Sequence, residues 1–247
     1  MIDLFHCFGA KPQHRVSAEL AVQMLDASQC RYLAVNTHNI DTVRRGVDLP
    51  VGYAEATLGS VTALLGPSKG VTPVLNINHP VTAEEAVTRA RRAVDLTGIQ
   101  IIKLEVLDAS LKTSENAGVV DAAKQLIGDG LEVWPLISAD AQAYRACVDL
   151  GTTMVRVMGS PIGAMKGITS QAMPAVTEIL RGGEVPVMLD GGIGSAADLI
   201  EAQDLGFQAA LVNSCLFANG AGPVAVLAEM RATLEGAVDP WPAVRMS

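Results

Sequence analysis

Lys103 stands in the run Ile99-Gln100-Ile101-Ile102-Lys103-Leu104-Glu105-Val106, a short apolar, β-branched segment that reads as a buried strand. Burial strips water from an ammonium and pushes its pKa down. An amine deprotonated near neutral pH attacks carbonyl carbon and forms a Schiff base. Alternate residues of a strand share a face, so Glu105 points the same way and sets an acid beside the amine.

Short apolar runs alternate with helical patterns along the whole chain. Strands are expected at Asp3–Cys7, Tyr32–Asn36, Thr72–Ile77, Gln100–Val106, Glu132–Ile137, Met154–Met158, Pro186–Asp190 and Ala209–Asn213. Helices are expected at Thr82–Leu96, Ala117–Ile127, Ala139–Leu150, Gln171–Leu180, Ala196–Leu205 and Pro223–Leu234. Thr82-Ala83-Glu84-Glu85 reads as a capping box, and Ser195-Ala196-Ala197-Asp198 resembles one. Eight strand–helix units imply a parallel sheet closed into a single-domain (β/α)8 TIM barrel over residues 1–247. A doubly wound sheet is the alternative, but Phe8-Gly9-Ala10-Lys11-Pro12 lacks the G-x-G-x-x-G spacing. The link from Thr37 to Val71 is the least legible; a helix near Tyr53–Leu65, closed by Gly66-Pro67, is expected there.

Barrel chemistry collects at the C-terminal ends of the strands. Those ends carry Asn36-Thr37-His38-Asn39, Asn76-Ile77-Asn78-His79, Lys103 and Glu105, Gly159-Ser160-Pro161-Ile162-Gly163, Asp190-Gly191-Gly192-Ile193-Gly194 and Asn213-Ser214. The glycine turn after strand seven, with Asn213-Ser214 beside it, reads as a phosphate cradle of backbone amides. A bland reading makes these glycines tight turns only. For Lys103 the bland reading is an ion pair with Glu105 or Asp190, but such pairs are costly to bury and barrel interiors favour Val, Ile and Leu. Among the other lysines only Lys166, in the loop after strand six, is expected to reach a ligand. His38 and His79 read as solvated loop histidines or acid–base groups, and the Met154–Met158 methionines as core filler.

Composition narrows the function classes. The 247 residues are 49% apolar and 18% charged, with a net charge of −8, and mean hydropathy is +0.31. The acidic balance argues against nucleic acid. No apolar run reaches the ~18 residues of a membrane span, and the N-terminus does not read as a signal peptide, so a cytoplasmic location is expected. Cys7, Cys30, Cys147 and Cys215 are scattered and, with four dispersed histidines, show no zinc spacing.

Taken together, Asn76 with Thr82-Ala83-Glu84-Glu85-Ala86-Val87, Ile102-Lys103-Leu104-Glu105-Val106, Ser160-Pro161-Ile162-Gly163, Val187-Met188-Leu189-Asp190-Gly191-Gly192-Ile193-Gly194 and Val212-Asn213-Ser214 resemble the bacterial thiazole synthases from about Val74 to Leu227. The resemblance implies an imine between Lys103 and the keto carbon of a sugar phosphate. It implies proton shuttling by Glu105 and Asp190, with phosphate held at Gly191, Gly192, Ile193, Gly194, Asn213 and Ser214. Substrate contacts are expected at Asn76, Asn78, His79, Gly159 and Ser160. Sulfur is expected from the C-terminal thiocarboxylate of a small ubiquitin-like sulfur-carrier protein, with no metal or organic cofactor, in a homo-oligomer.

Three departures fall where substrate is chosen. Asn76-Ile77-Asn78-His79-Pro80 replaces the family's Asn-Thr-Ala-Gly segment, Asn36-Thr37-His38-Asn39 replaces paired arginines, and the chain stops at Pro240-Trp241-Pro242-Ala243-Val244-Arg245-Met246-Ser247 without a basic tail. This pattern is similar to the family's 2-thiosugar synthase paralogues, which implies a hexose 6-phosphate, with Asn39, Asn78 and His79 meeting its extra hydroxyls. The alternatives are a thiazole synthase acting on 1-deoxy-D-xylulose 5-phosphate, an isomerase or aldolase-like barrel needing no carrier, and a silent barrel that only binds a partner.

Overall fold

Eight short, largely apolar runs pair as parallel strands, because each is mostly buried on both faces and helices cover the outer one. The computed structural model describes residues 1–9, 11–53, 55–66, 70–218 and 220–236. The strands are β1 Asp3–His6, β2 Tyr32–Asn36, β3 Thr72–Asn76, β4 Ile101–Leu104, β5 Glu132–Ser138, β6 Val155–Met158, β7 Val187–Asp190 and β8 Ala209–Val212. The helices are α1 Ala18–Ser28, α2 Leu58–Leu65, α3 Ala83–Thr97, α4 Asn116–Gly128, α5 Ala141–Asp149, α6 Met173–Gly182, α7 Ala196–Leu205 and α8 Pro223–Gly236. Pairing runs β1-β8-β7-β6-β5-β4-β3-β2, the order of a (β/α)8 barrel. Side chains bridge the β1–β2 seam: Phe5 stacks on Tyr32 at 4.8 Å, and Trp134 stands edge-on to both.

Helix starts follow their local chemistry. The Ser17, Thr57, Thr82, Glu115 and Asp140 side chains accept backbone N–H bonds at the first turns of α1 to α5. The box expected at Thr82 is half-formed: Thr82 accepts from the Glu85 N–H, whereas the Glu85 carboxylate reaches back to Val81.

Several boundaries differ from expectation. Strand four ends at Leu104, which leaves Glu105 just past the ladder rather than within it. Cys7, Ile77, Met154, Pro186 and Asn213 also fall outside their strands, because the ladder frays where loops diverge. The helix expected from Tyr53 begins at Leu58, capped by Thr57, which also forms an isolated antiparallel bridge with Pro50. Ala10, Pro67, Lys69 and the segment Pro240–Ser247 lie outside the described residues. No described helix is long and apolar enough to cross a membrane.

Candidate functional site

Register explains the polar lining. Asn36 pairs with Asn76 across β2–β3, and Asn76 with Lys103 across β3–β4. Paired residues of parallel strands share a face, so these three side chains form one inward row. The Asn36 amide donates to Gly52 O at 2.8 Å, the Asn76 amide donates to Asn36 Oδ1 at 3.0 Å, and Lys103 Nζ donates to Asn76 Oδ1 at 3.1 Å. Asn78 joins the row, donating to Asn36 Oδ1 and accepting the Thr37 N–H. Each buried amide is satisfied on at least one side, which rigidifies the row.

Lys103 is 8% exposed and Asp190 on β7 is 8% exposed. Lys103 Nζ lies 3.6 Å from Asp190 Oδ2. The nearer cation of Asp190 is Arg156, a fully buried residue of β6. Its Nε donates to Asp190 Oδ2 at 2.8 Å, and Nη2 lies 2.7 Å from that oxygen, off the hydrogen-bonding angle, so it contributes charge. Burial alone would push the Asp190 carboxyl up, but Arg156 and Lys103 together outweigh it and hold the group below the usual carboxylate range. Glu105 takes no part in this pairing. Its Oε1 accepts the N–H of His79 at 2.8 Å, and among the described residues no cation lies within 4.0 Å of its carboxylate. His79 adopts a left-handed φ of 58° to present that N–H.

These groups line a cavity of about 330 Å³ at the C-terminal end of the barrel. Of the expected residues, Lys103, Glu105, Asp190, Asn76, Asn78, His79, Gly191, Gly192, Ile193, Asn213 and Ser214 line it together. Gly159, Ser160 and Gly194 do not. The Gly194 and Ser195 amides are occupied by the Asp198 carboxylate at 2.8 and 2.9 Å, which caps α7. Gly159 N–H donates to Gly191 O and Gly167 N–H to Gly192 O, so these glycines join the loops after β6 and β7. A Cβ at Gly192 would sit 2.4 Å from Gly167 O. At Gly159 and Gly194 the tight-packing reading of the glycines describes the structure, whereas Gly191 and Gly192 pack closely and also line the cavity.

Other residues at the cavity were not anticipated. Lys11 and Lys112, rather than Lys166, stand on its wall, together with Cys7, Tyr53, Leu111 and Met165. Tyr53 stacks on His38 at 5.3 Å. Burial, then the nearby Cys7 and Glu105, push the Tyr53 phenol up. All four cysteines are free and buried. Arg156 carried a legible signal, since a charge in an apolar strand is the same anomaly that singles out Lys103. Lys11 and Lys112 carried none, because loop lysines are ordinarily solvated. Among the described residues no group of three or more His, Cys, Asp or Glu is placed to hold a metal.

Fold and site define a (β/α)8 barrel with a lysine and two carboxylates at the C-terminal strand ends and a glycine turn after β7. The chain belongs to the thiazole biosynthesis protein ThiG family, whose model matches residues 35–246. It is 34% identical over 168 residues to a thiazole synthase of Rhodopseudomonas palustris, covering 67% of this chain and 64% of that relative's length. It is 30% identical over 235 residues to a thiazole synthase of Prochlorococcus marinus, covering 92% of this chain and 79% of that one. Among solved structures, the Amycolatopsis orientalis BexX/CysO complex matches at 30% identity and a TM-score of 0.78, covering 99% of this chain and 94% of that one.

Proposed function

We propose that this chain is a sulfur-incorporating enzyme in which Lys103 forms an imine with a keto sugar phosphate and sulfur arrives as the C-terminal thiocarboxylate of a small ubiquitin-like carrier protein. The product is a 2-thiosugar phosphate of the 2-thioglucose 6-phosphate type. The observation that carries this reading is the placement of Lys103 Nζ. It faces the cavity, held by a neutral amide oxygen at 3.1 Å, while its nearest carboxylate is engaged elsewhere.

The hexose 6-phosphate opens and isomerises to its 2-keto form. Nζ then adds to the C2 carbonyl, and loss of water gives the imine. Sulfur is installed at the same carbon. The net exchange is sugar C–OH plus carrier thiocarboxylate to sugar C–SH plus carrier carboxylate, which balances without oxidant or reductant. Glu105 is hydrogen-bonded at one oxygen and faces the cavity, as a group moving protons at C2 must. Lys11 and Lys112 give the rim positive charge for a phosphate, joined by Gly191 to Ile193 and the Asn213-Ser214 turn. Tyr53, Asn78 and His79 offer partners for sugar hydroxyls. A two-protein complex as the structural relative supports the carrier.

The relatives' names favour a second reading, a thiazole synthase acting on 1-deoxy-D-xylulose 5-phosphate. One experiment separates the two. Borohydride is added with each sugar phosphate in turn and the intact mass is measured. The expected outcome is a reduced hexose phosphate on Lys103, and none on Lys103→Ala. Labelling by the pentulose phosphate alone selects the second reading. An unlabelled native protein rejects both, and sugar-phosphate turnover without carrier selects an isomerase or aldolase-like barrel.

A further inference from the structure

Arg156 sits on β6 with its guanidinium inside the barrel and no solvent exposure. Two donor bonds from Nη1, to Leu104 O at 3.0 Å and Trp134 O at 3.1 Å, lock it against β4 and β5. The group thus has one orientation, and that orientation aims Nε at Asp190 Oδ2. The same oxygen faces Lys103 Nζ from 3.6 Å. Protonating Asp190 would break a charge-assisted bond and leave a guanidinium uncompensated in a dry interior.

We propose that Arg156 is a positioning residue that fixes Asp190 as a permanent counter-charge to the nitrogen of Lys103, leaving Glu105 alone to carry protons. The proposal rests on the imine reading for its role in the reaction, but not for the charge state it assigns. Four charged side chains converge here: Lys103 and Glu105 from β4 and its end, Arg156 from β6 and Asp190 from β7. Cys7, from the end of β1, also faces the group; its thiol is pushed up by burial and adds no charge. Leu211, paired with Asp190 on β8, is apolar. An ammonium and a protonated imine each carry one positive charge, so Asp190 can oppose the nitrogen of Lys103 in either form. Because Arg156 holds Asp190 more closely than Lys103 does, the amine is not locked in an exclusive ion pair and remains free to reach a carbonyl.

The sequence resemblance implied that both carboxylates shuttle protons; the geometry divides that work. The test is direct observation of the Asp190 carboxyl by carbon-13 NMR of protein labelled at the aspartate carboxyls, its signal assigned with Asp190→Asn. In the native protein the signal is expected to stay that of a carboxylate down to roughly pH 4, the ordinary aspartate range. In Arg156→Met its midpoint is expected to rise by at least about one unit, as for a buried carboxyl deprived of its cation. Arg156→Lys, which keeps the charge and loses the fixed fork, is expected to shift it upward by less, and it carries the test if Arg156→Met does not fold. An Asp190 signal titrating identically in the native protein and the folded variants overturns the proposal.

A second arm reads borohydride trapping. Arg156→Met and Asp190→Asn are each expected to slow it by roughly 100-fold, the scale of a misplaced catalytic charge. The double variant is expected to be no worse than the poorer single one, since coupled groups are non-additive. Multiplying losses would assign Arg156 a separate, merely structural role and overturn the proposal. If native protein traps no sugar phosphate, the imine reading fails while the NMR arm still decides the charge state of Asp190.

Discussion

His6 shows how one buried ionisable residue sets acid stability apart from catalysis. It lies on β1, 2% exposed, with Nε2 at 3.0 Å from Ser28 Oγ on α1, so it faces the helix layer and not the cavity. Burial lowers its pKa to about 4. The unfolded chain binds a proton below the ordinary value of 6.5, whereas the folded chain stays neutral until about 4. Stability therefore falls as pH drops through that window, by about 3 kcal/mol if the whole difference is realised. Urea denaturation at stepped pH should show this slope, and His6→Asn should flatten it. Asp190 has the same sign by the opposite chemistry. Its depressed carboxyl contributes stability above the unfolded aspartate value, and that contribution is lost as pH falls through the still lower folded value.

Among the elements, the loops after β6 and β7 act as one unit. Gly159 and Gly167 donate across to Gly191 and Gly192. Gly192 has φ 111°, and a Cβ there would meet both Gly167 O and Ser160 Oγ at under 3.0 Å. Gly192→Ala is expected to destabilise by about 1–3 kcal/mol and to disturb the Gly191–Ile193 wall; denaturation and sugar-phosphate affinity should both register it. Thr82→Ala removes the cap of α3 on the outer layer. It should cost about 1 kcal/mol and leave trapping at Lys103 unchanged. Strand–helix alternation was legible along the chain because it depends on period and burial within each run. The strand ends were less so. Glu105 lies outside the β3–β4 ladder because that ladder makes its last bond from the Ile77 N–H to Lys103 O, after which the Leu107 N–H turns to Pro80 O, a contact that no local pattern encodes.

For the molecule as a whole, the barrel interior trades hydrophobic filling for a buried pair of opposite charges, Arg156 and Asp190. Removing one partner of a buried pair typically costs 3–5 kcal/mol, roughly, while removing both costs far less. Arg156→Met should therefore destabilise by about that amount, and Arg156→Met combined with Asp190→Asn should recover much of it; denaturant midpoints at neutral pH measure both. The aromatic contacts of Phe5, Tyr32 and Trp134 sit in the same interior and bridge the seam where β1 and β2 meet without a ladder.

The residues in order determined the eight-unit barrel, the anomaly of Lys103 and the presence of carboxylates and glycines at strand ends. These follow from local periodicity and from the rule that a charge in an apolar strand needs a reason. Only the tertiary structure decided which charges meet. Arg156 and Asp190 are 34 residues apart and meet because β6 and β7 pair side by side, while Lys103 reaches Asp190 from β4 across the barrel. Asp198 takes the Gly194 amide, one of those expected to hold a phosphate, together with that of Ser195. Lys11 and Lys112 converge on the cavity from loops after different strands. The pairing of charges depends on distances of a few ångströms across the barrel, and register and tilt set those distances.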